Sequence, residues 1–166
     1  NHLVIMAGGV GSRLWPMSTT DYPKQFIDVL GVGNTLLQLT VERFGNLVEP
    51  ENIWVVTNQK YAGIVREQLP DMPEGNILCE PCRRNTAPCI AYVSWRIKSK
   101  DSKANIVVTP SDHIVTNTTE FQRVIKECMK FTSETDSIVT LGIKPNRPET
   151  GYGYIQADLS TSSLRN

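Results

Sequence analysis

A short apolar run that empties into three closely spaced glycines restricts this chain more than any other stretch. His2 to Met6 reads HLVIM, and it leads directly into Ala7-Gly8-Gly9-Val10-Gly11-Ser12-Arg13. Strands covered on both faces are continuously apolar instead of alternating, so the run predicts a buried parallel strand. The glycines let backbone N–H groups approach a ligand without Cβ interference. They also allow the positive φ from which a concave nest of donors is built. Arg13 and Lys24 bring two cations to the same rim. A bare amide nest, a planar guanidinium fork and a point-charge ammonium suit different phosphate oxygens, so the loop reads as a polyphosphate site.

Two familiar phosphate motifs are excluded by spacing. A Walker loop needs a second glycine five residues after Gly8, where Arg13 stands, and a dinucleotide fingerprint starting at Gly9 and Gly11 needs a small residue where Leu14 stands.

The rest of the chain alternates strand and helix signals. Phe26 to Leu30 reads as a short extended piece closed by Gly31 and Gly33. Thr35 and Gln38 form a capping box ahead of a helix of about a dozen residues, with Leu37, Thr40, Val41, Phe44 and Val48 inward. Ile53 to Thr57 reads as the second strand, and Asn58 caps a helix running to about Leu69. Asn76 to Cys79 follows as a strand, then a helix capped at Asn85 or Thr86 with Pro88 in its first turn. Asn105 to Thr109 is the next strand, and Thr119 caps a helix with Phe121, Val124, Ile125 and Cys128 inward. Ile138 to Ile143 and Gly153 to Ala157 read as two more strands, and 158–163 as a polar loop or linker. This order predicts an α/β fold: a three-layer, Rossmann-like sheet, mostly parallel, with right-handed crossovers and helices on both faces. In such a sheet the loops starting at Ala7, Thr57, Glu80, Pro110 and Pro145 share one rim.

Composition narrows the partners. With 17 basic and 17 acidic residues among 166, the net charge is zero. Zero net charge argues against general binding to nucleic acid or to an anionic membrane, so any affinity for phosphate is local. No stretch approaches the roughly 20 apolar residues of a membrane span, and the chain opens on a strand instead of a basic leader. The expectation is a cytoplasmic protein whose cysteines, Cys79, Cys82, Cys89 and Cys128, are free thiols.

Three further segments carry chemistry. Cys79-Glu80-Pro81-Cys82 before a helix has the look of a thiol oxidoreductase motif, with Cys79 activated at a helix start. That reading leaves the glycine loop without a purpose, and a zinc site lacks a second cysteine pair. Arg84-Asn85-Thr86-Ala87-Pro88 places an asparagine and backbone donors at a helix start, where a purine edge or an anion can be met. A well-capped helix start alone accounts for the same residues. Asp112, in Pro110-Ser111-Asp112-His113, ends an apolar strand on the ligand rim, where a carboxylate can hold a hard cation against phosphate oxygens. An isolated Ser-Asp of this kind reads first as a turn aspartate.

Taken together, GGVGSRLWPMS followed by YPKQF resembles the opening of the sugar-nucleotide pyrophosphorylases, the sugar-1-phosphate nucleotidyltransferases. Trp15 after Leu14, and Gln25-Phe26 after Pro23-Lys24, look like the mannose-1-phosphate guanylyltransferase branch. Glu80-Pro81 with the RNTAP segment resembles that branch's nucleobase and ribose block. PSDH resembles its metal block, with Ser111 where the family more often has alanine. Pro148-Glu149-Thr150-Gly151-Tyr152-Gly153-Tyr154-Ile155 resembles its sugar-side block.

The resemblance implies a glycosyltransferase-A-type nucleotidyltransferase domain using GTP, mannose 1-phosphate and Mg2+, with a homodimer left open as the assembly. It implies Arg13 and Lys24 as catalytic cations and Gly8, Gly9, Gly11, Ser12, Arg84, Asn85, Thr86 and Pro88 as nucleotide contacts. It assigns Asp112 to the metal, and Glu149 and Gly153 to the sugar. After Ala157 no second metal carboxylate and no sugar-site element of the family follows, so 1–166 reads as the N-terminal, nucleotide-binding portion of such a domain. A nucleotide-binding module without turnover is the alternative.

Overall fold

Four of the apolar runs pair side by side, all in parallel. They are β1 (His2–Met6), β2 (Ile53–Thr57), β3 (Ile77–Cys79) and β4 (Ile106–Pro110), in the spatial order β3-β2-β1-β4. The computed structural model describes residues 1–11, 14–82 and 84–156; Ser12, Arg13, Arg83 and 157–166 lie outside the described residues. The chain divides into two compact units, residues 1–136, which hold the sheet, and residues 137–166.

Both faces of the sheet are covered. Leu3 and Ile5 of β1 and Ile53 and Val55 of β2 point to one side, where they meet α1 (Leu36–Glu42), α2 (Ala62–Gln68) and α4 (Thr118–Glu134) through Leu37, Val65, Ile125 and Met129. Val4, Trp54, Val56 and Leu78 point to the other, against Cys89, Val93 and Ile97 of α3 (Thr86–Lys98). The period of two along each strand sorts the residues between faces. Burial on both sides explains why the sequence of β1 and β2 shows no alternation.

The chain steps outward from β1 to β2 to β3, then returns to the far side of β1 for β4. That reversal makes the carboxyl ends of β1 and β4 the switch point, where a crevice opens in sheets of this kind. The registers end level, with Met6 opposite both Val56 and Pro110. Hydrogen bonds then continue past the strand ends: Ala7 N to Val56 O (2.8 Å), Ser111 N to Met6 O (3.2 Å) and Glu80 N to Thr57 O (2.9 Å). The loops after all four strands therefore start from one aligned rim.

Several expectations are corrected. Phe26 to Leu30 is not extended. Lys24–Phe26 forms a 3-10 turn, and the Asp28 carboxylate accepts from the amides of Val32 and Gly33 (3.1 and 2.7 Å), curling the chain into a loop. The capping box is present, but α1 has 7 residues instead of a dozen. It ends at Glu42, and Gly45, at φ +51°, opens a 3-10 turn (Gly45–Leu47) flanked by buried Phe44 and Val48. Asn117, not Thr119, caps α4, its side chain accepting from Glu120 N at 3.0 Å. Neither 138–143 nor 153–156 forms a strand; Ile138 and Ile143 are exposed, and Ala157 lies outside the described residues. β-propensity measures fit to a pleated surface with cross-strand neighbours, and no described residue supplies one there. Pro145 belongs to the unit 137–166.

The capping box is also a tertiary joint. Thr35 Oγ1 accepts from Gln38 N (3.3 Å) and donates to Gln68 Oε1 (2.8 Å), while Gln68 Nε2 reaches Phe26 O (3.0 Å). Thr35→Ala removes both bonds at once, so the expected cost is about 1–2 kcal/mol. A urea unfolding curve should show a lower midpoint with an unchanged slope.

Candidate functional site

The glycine loop is held by its carbonyls. Buried Gln25 donates from Nε2 to Ala7 O (3.1 Å) and Gly9 O (2.8 Å), and Thr57 Oγ1 donates to Ala7 O (2.9 Å). Leu14 N donates to Gly11 O at 3.2 Å. With the oxygens turned into the protein, the amides of Gly8, Gly9 and Val10 are left without an acceptor among the described residues, the arrangement an anion nest requires. Gly11 has φ +64°, and a Cβ there would lie 2.2 Å from Ser18 Oγ and 2.9 Å from Lys24 N. The loop thus packs directly on the turn that carries Lys24, which only glycine permits.

Lys24 crosses the switch point. Its Nζ lies 2.6 Å from Asp112 Oδ2, and both side chains are a little under a third exposed. Asp112 sits two residues past the end of β4, in a turn whose Ser111 amide is bonded to β1. Two residues 88 positions apart in the sequence therefore form one charged pair at the mouth of the crevice.

The second rim segment follows β3. Glu80 stands with Oε2 3.5 Å from where a Cβ of Gly8 would be, so the glycine loop and the β3 loop are neighbours. Arg84, Asn85, Thr86 and Pro88 are exposed at the start of α3, where Asn85 is the N-cap with φ +65° and no side-chain cap bond. Ser12 and Arg13 lie outside the described residues. Glu149 and Gly153 belong to the unit 137–166. There Glu149 orders its own loop, accepting from Gly151 N (3.1 Å) and pairing with Arg147 (3.6 Å), while Tyr154 Oη bonds both backbone groups of Glu149 (2.7 and 3.1 Å). Gly153 is exposed with open space around its Cα.

The donor set bears on which cation fits. No group of three or more His, Cys, Asp or Glu among the described residues could hold a metal by itself. Asp112, one carboxylate opposite Lys24, suits magnesium, a cation that keeps several waters and takes only one or two carboxylates alongside phosphate oxygens. It does not suit zinc.

The thiols are poorly placed for redox work. All four cysteines are free. Cys79 closes β3 and Cys82 lies in the exposed turn after it, whereas α3 begins only at Thr86. Neither residue stands at the helix start that the oxidoreductase motif requires. Cys89, inside α3, is buried, and burial together with the Glu80 carboxylate pushes its thiol up to about 11.

Two residues escaped the sequence reading. Gln25 was legible only as part of a motif, with no role of its own. Glu80 was legible as the start of a rim loop, but its contact with Gly8 was not, since that depends on the order of the strands.

Two outcomes follow from this geometry. Gly11→Ala should cost about 1–3 kcal/mol of strain, read as a lower midpoint in a urea unfolding curve. In alkylation with iodoacetamide at pH 8, exposed Cys82 should react first and Cys89 last, read by peptide mass spectrometry, because a thiol titrating near 11 holds almost no thiolate at that pH.

Comparison with known proteins agrees with this architecture. Residues 2–165 match the family model described as nucleotidyl transferase. The chain is 41% identical over 165 residues to a mannose-1-phosphate guanylyltransferase of Salmonella montevideo, covering 98% of this chain and 34% of that protein. It is 42% identical over 161 residues to one from Escherichia coli, covering 96% of this chain and again 34% of the relative. The chain therefore spans about a third of the length of these relatives. Among solved structures, one described as mannose-1-phosphate geranyltransferase from Thermus thermophilus superposes with a TM-score of 0.68 and 29% identity, over 78% of this chain and 37% of that one. A mannose-6-phosphate isomerase from Helicobacter pylori, at 23% identity and a TM-score of 0.60 over 80% of this chain and 46% of that one, shares the fold. The family match across nearly the whole chain, on a parallel sheet with a glycine loop at its switch point, makes this chain a member of the nucleotidyl transferase family.

Proposed function

We propose that this chain supplies the nucleotide-binding part of a mannose-1-phosphate guanylyltransferase, which converts GTP and mannose 1-phosphate into GDP-mannose and pyrophosphate. The observation that carries the reading is the Lys24–Asp112 pair at 2.6 Å, which sets a cation and a carboxylate side by side where the loops after β1 and β4 meet. The names of the relatives, and the residues carrying the resemblance, select the nucleotide and the sugar.

A phosphate oxygen of mannose 1-phosphate attacks the α-phosphorus of GTP in line. The bond from that phosphorus to the bridging oxygen breaks, and pyrophosphate leaves with the electron pair. The protein's part in such a transfer is positioning and charge stabilisation. The Gly8–Gly11 amides hold phosphate oxygens. Lys24 turns from Asp112 towards the α-phosphate as charge grows there, and Arg13 neutralises the departing pyrophosphate. Arg84, Asn85, Thr86 and Pro88 meet the nucleoside, and Glu149 and Gly153 serve the sugar. Asp112 would hold magnesium, which when bound neutralises phosphate charge. No helix among the described residues is long and apolar enough to cross a membrane; the cytoplasmic setting is part of the proposal.

An interaction strengthened only in the transition state shows in turnover. Lys24→Ala in the protein carrying this chain should lower kcat on the order of 10²–10³ with the KM for GTP within a few fold. A raised KM with near-native kcat would remove the role. Asp112→Ala should abolish metal-dependent turnover, while Cys79→Ser with Cys82→Ser should leave it intact. A folded but inactive double thiol variant would overturn the assignment. Assaying each nucleoside triphosphate with mannose 1-phosphate fixes the specificity, and preference for another triphosphate would refute the guanylyl reading.

A further inference from the structure

α1 does more than cover the sheet. Thr40 and Arg43, three residues apart and so on one face of the helix, both reach the turn after β4. Arg43 donates from NH1 to His113 O (2.6 Å) and from NH2 to Thr109 Oγ1 (3.0 Å) and Pro110 O (3.4 Å). Thr40 Oγ1 lies 3.3 Å from Ser111 O. In the turn 110–113, every backbone carbonyl except that of Asp112 is thus tied to α1.

The guanidinium is itself fixed. Arg43 is 6% exposed, and its guanidinium carbon lies 5.5 Å from the Phe121 ring centroid and 6.0 Å from that of Phe44; the two rings meet edge to face at 5.2 Å. Gln122 Nε2 of α4 holds Arg43 O at 3.0 Å. Burial pulls this guanidinium below its ordinary pKa, and the Asp112 carboxylate acts the other way. Its Nε is buried with no partner among the described residues. A cation kept at such a desolvation cost is a poor choice for packing alone, since an apolar residue would cover the same area without it.

We propose that Arg43 is a positioning residue for nucleotidyl transfer, its planar fork fixing the 110–113 turn so that Asp112 stands opposite Lys24. The inference rests on the reading of Asp112 given under Proposed function. Lysine cannot replace it, because one ammonium on a flexible stem does not reproduce donors set in a rigid fork.

The test compares Arg43→Lys, Thr109→Val and Asp112→Asn in the protein carrying this chain. It reads the folded fraction by circular dichroism, kcat and the KM for GTP, and Mn2+ affinity in the presence of GTP from the resonance signal of the free ion. Arg43→Lys should stay folded, keep its KM for GTP within about twofold, and lose about tenfold in both kcat and Mn2+ affinity, as happens when the partner that orients a ligand is altered. Thr109→Val, which removes one acceptor of the fork, should shift both the same way by about threefold.

Wild-type Mn2+ affinity and kcat in folded Arg43→Lys would overturn the inference. So would a kcat that falls only in proportion to the folded fraction, since that is a structural effect. If Arg43→Lys does not fold, Thr109→Val decides: shifted Mn2+ affinity supports the proposal and unchanged affinity overturns it. Should Asp112→Asn keep both Mn2+ binding and turnover, the reading of Asp112 itself fails. Loss in Asp112→Asn alongside a wild-type Arg43→Lys overturns only the role of Arg43.

Discussion

One buried amide governs the site. Gln25 Nε2 donates to the carbonyls of Ala7 and Gly9, and those two bonds decide which way the glycine loop faces. A peptide has one donor end and one acceptor end, so turning its oxygen inward sends the N–H outward. Without the amide of Gln25, Ala7 O would keep only Thr57, and Gly9 O, in an exposed residue, would turn to water. Each lost bond of this kind costs about 0.5–1.5 kcal/mol, and losing both frees the loop to turn. The polarity of the nest is therefore enforced from below by a side chain that need not touch a ligand.

Glycine and lysine are coupled by the same contact. Gly11 lies so close to the backbone of Lys24 that a Cβ would clash. Lys24 occupies a 3-10 turn whose next two residues, Gln25 and Phe26, are buried. The segment thus presents a cation outward, an amide to the loop and an aromatic ring to the core from three consecutive residues. A one-residue shift would misplace all three functions.

How much of this was legible depends on the range of the interaction. β2 was readable to the residue, because an apolar run between Asn52 and Asn58 has little alternative. The Thr35–Gln38 box was readable because its partners lie three positions apart. The length of α1 was not, since Leu47 and Val48 continue the helical spacing while Gly45 breaks the backbone at φ +51°. Ile138 to Ile143 reads as a strand by composition, yet a strand is defined by its neighbour, and composition does not report one. Within the site, Gly8, Gly9 and Lys24 were legible from a contiguous motif. Arg43 was invisible: it caps the end of a helix, and its partners at Thr109, Pro110 and His113 are over sixty positions away.

The two cations that face Asp112 do opposite work because they are buried to different degrees. Lys24 and Asp112 keep nearly a third of their side-chain surface in water, so solvent screens their pairing and its strength is of the order of 1 kcal/mol. Opening it to admit a phosphate therefore costs little, and the incoming oxygens replace what the lysine gives up. Arg43 is in the reverse position, desolvated and spread over three acceptors, so releasing it would strand several buried groups at once. On the proposed function, a labile pair above a fixed guanidinium would let Lys24 exchange a protein carboxylate for substrate phosphates without moving the turn that holds the carboxylate.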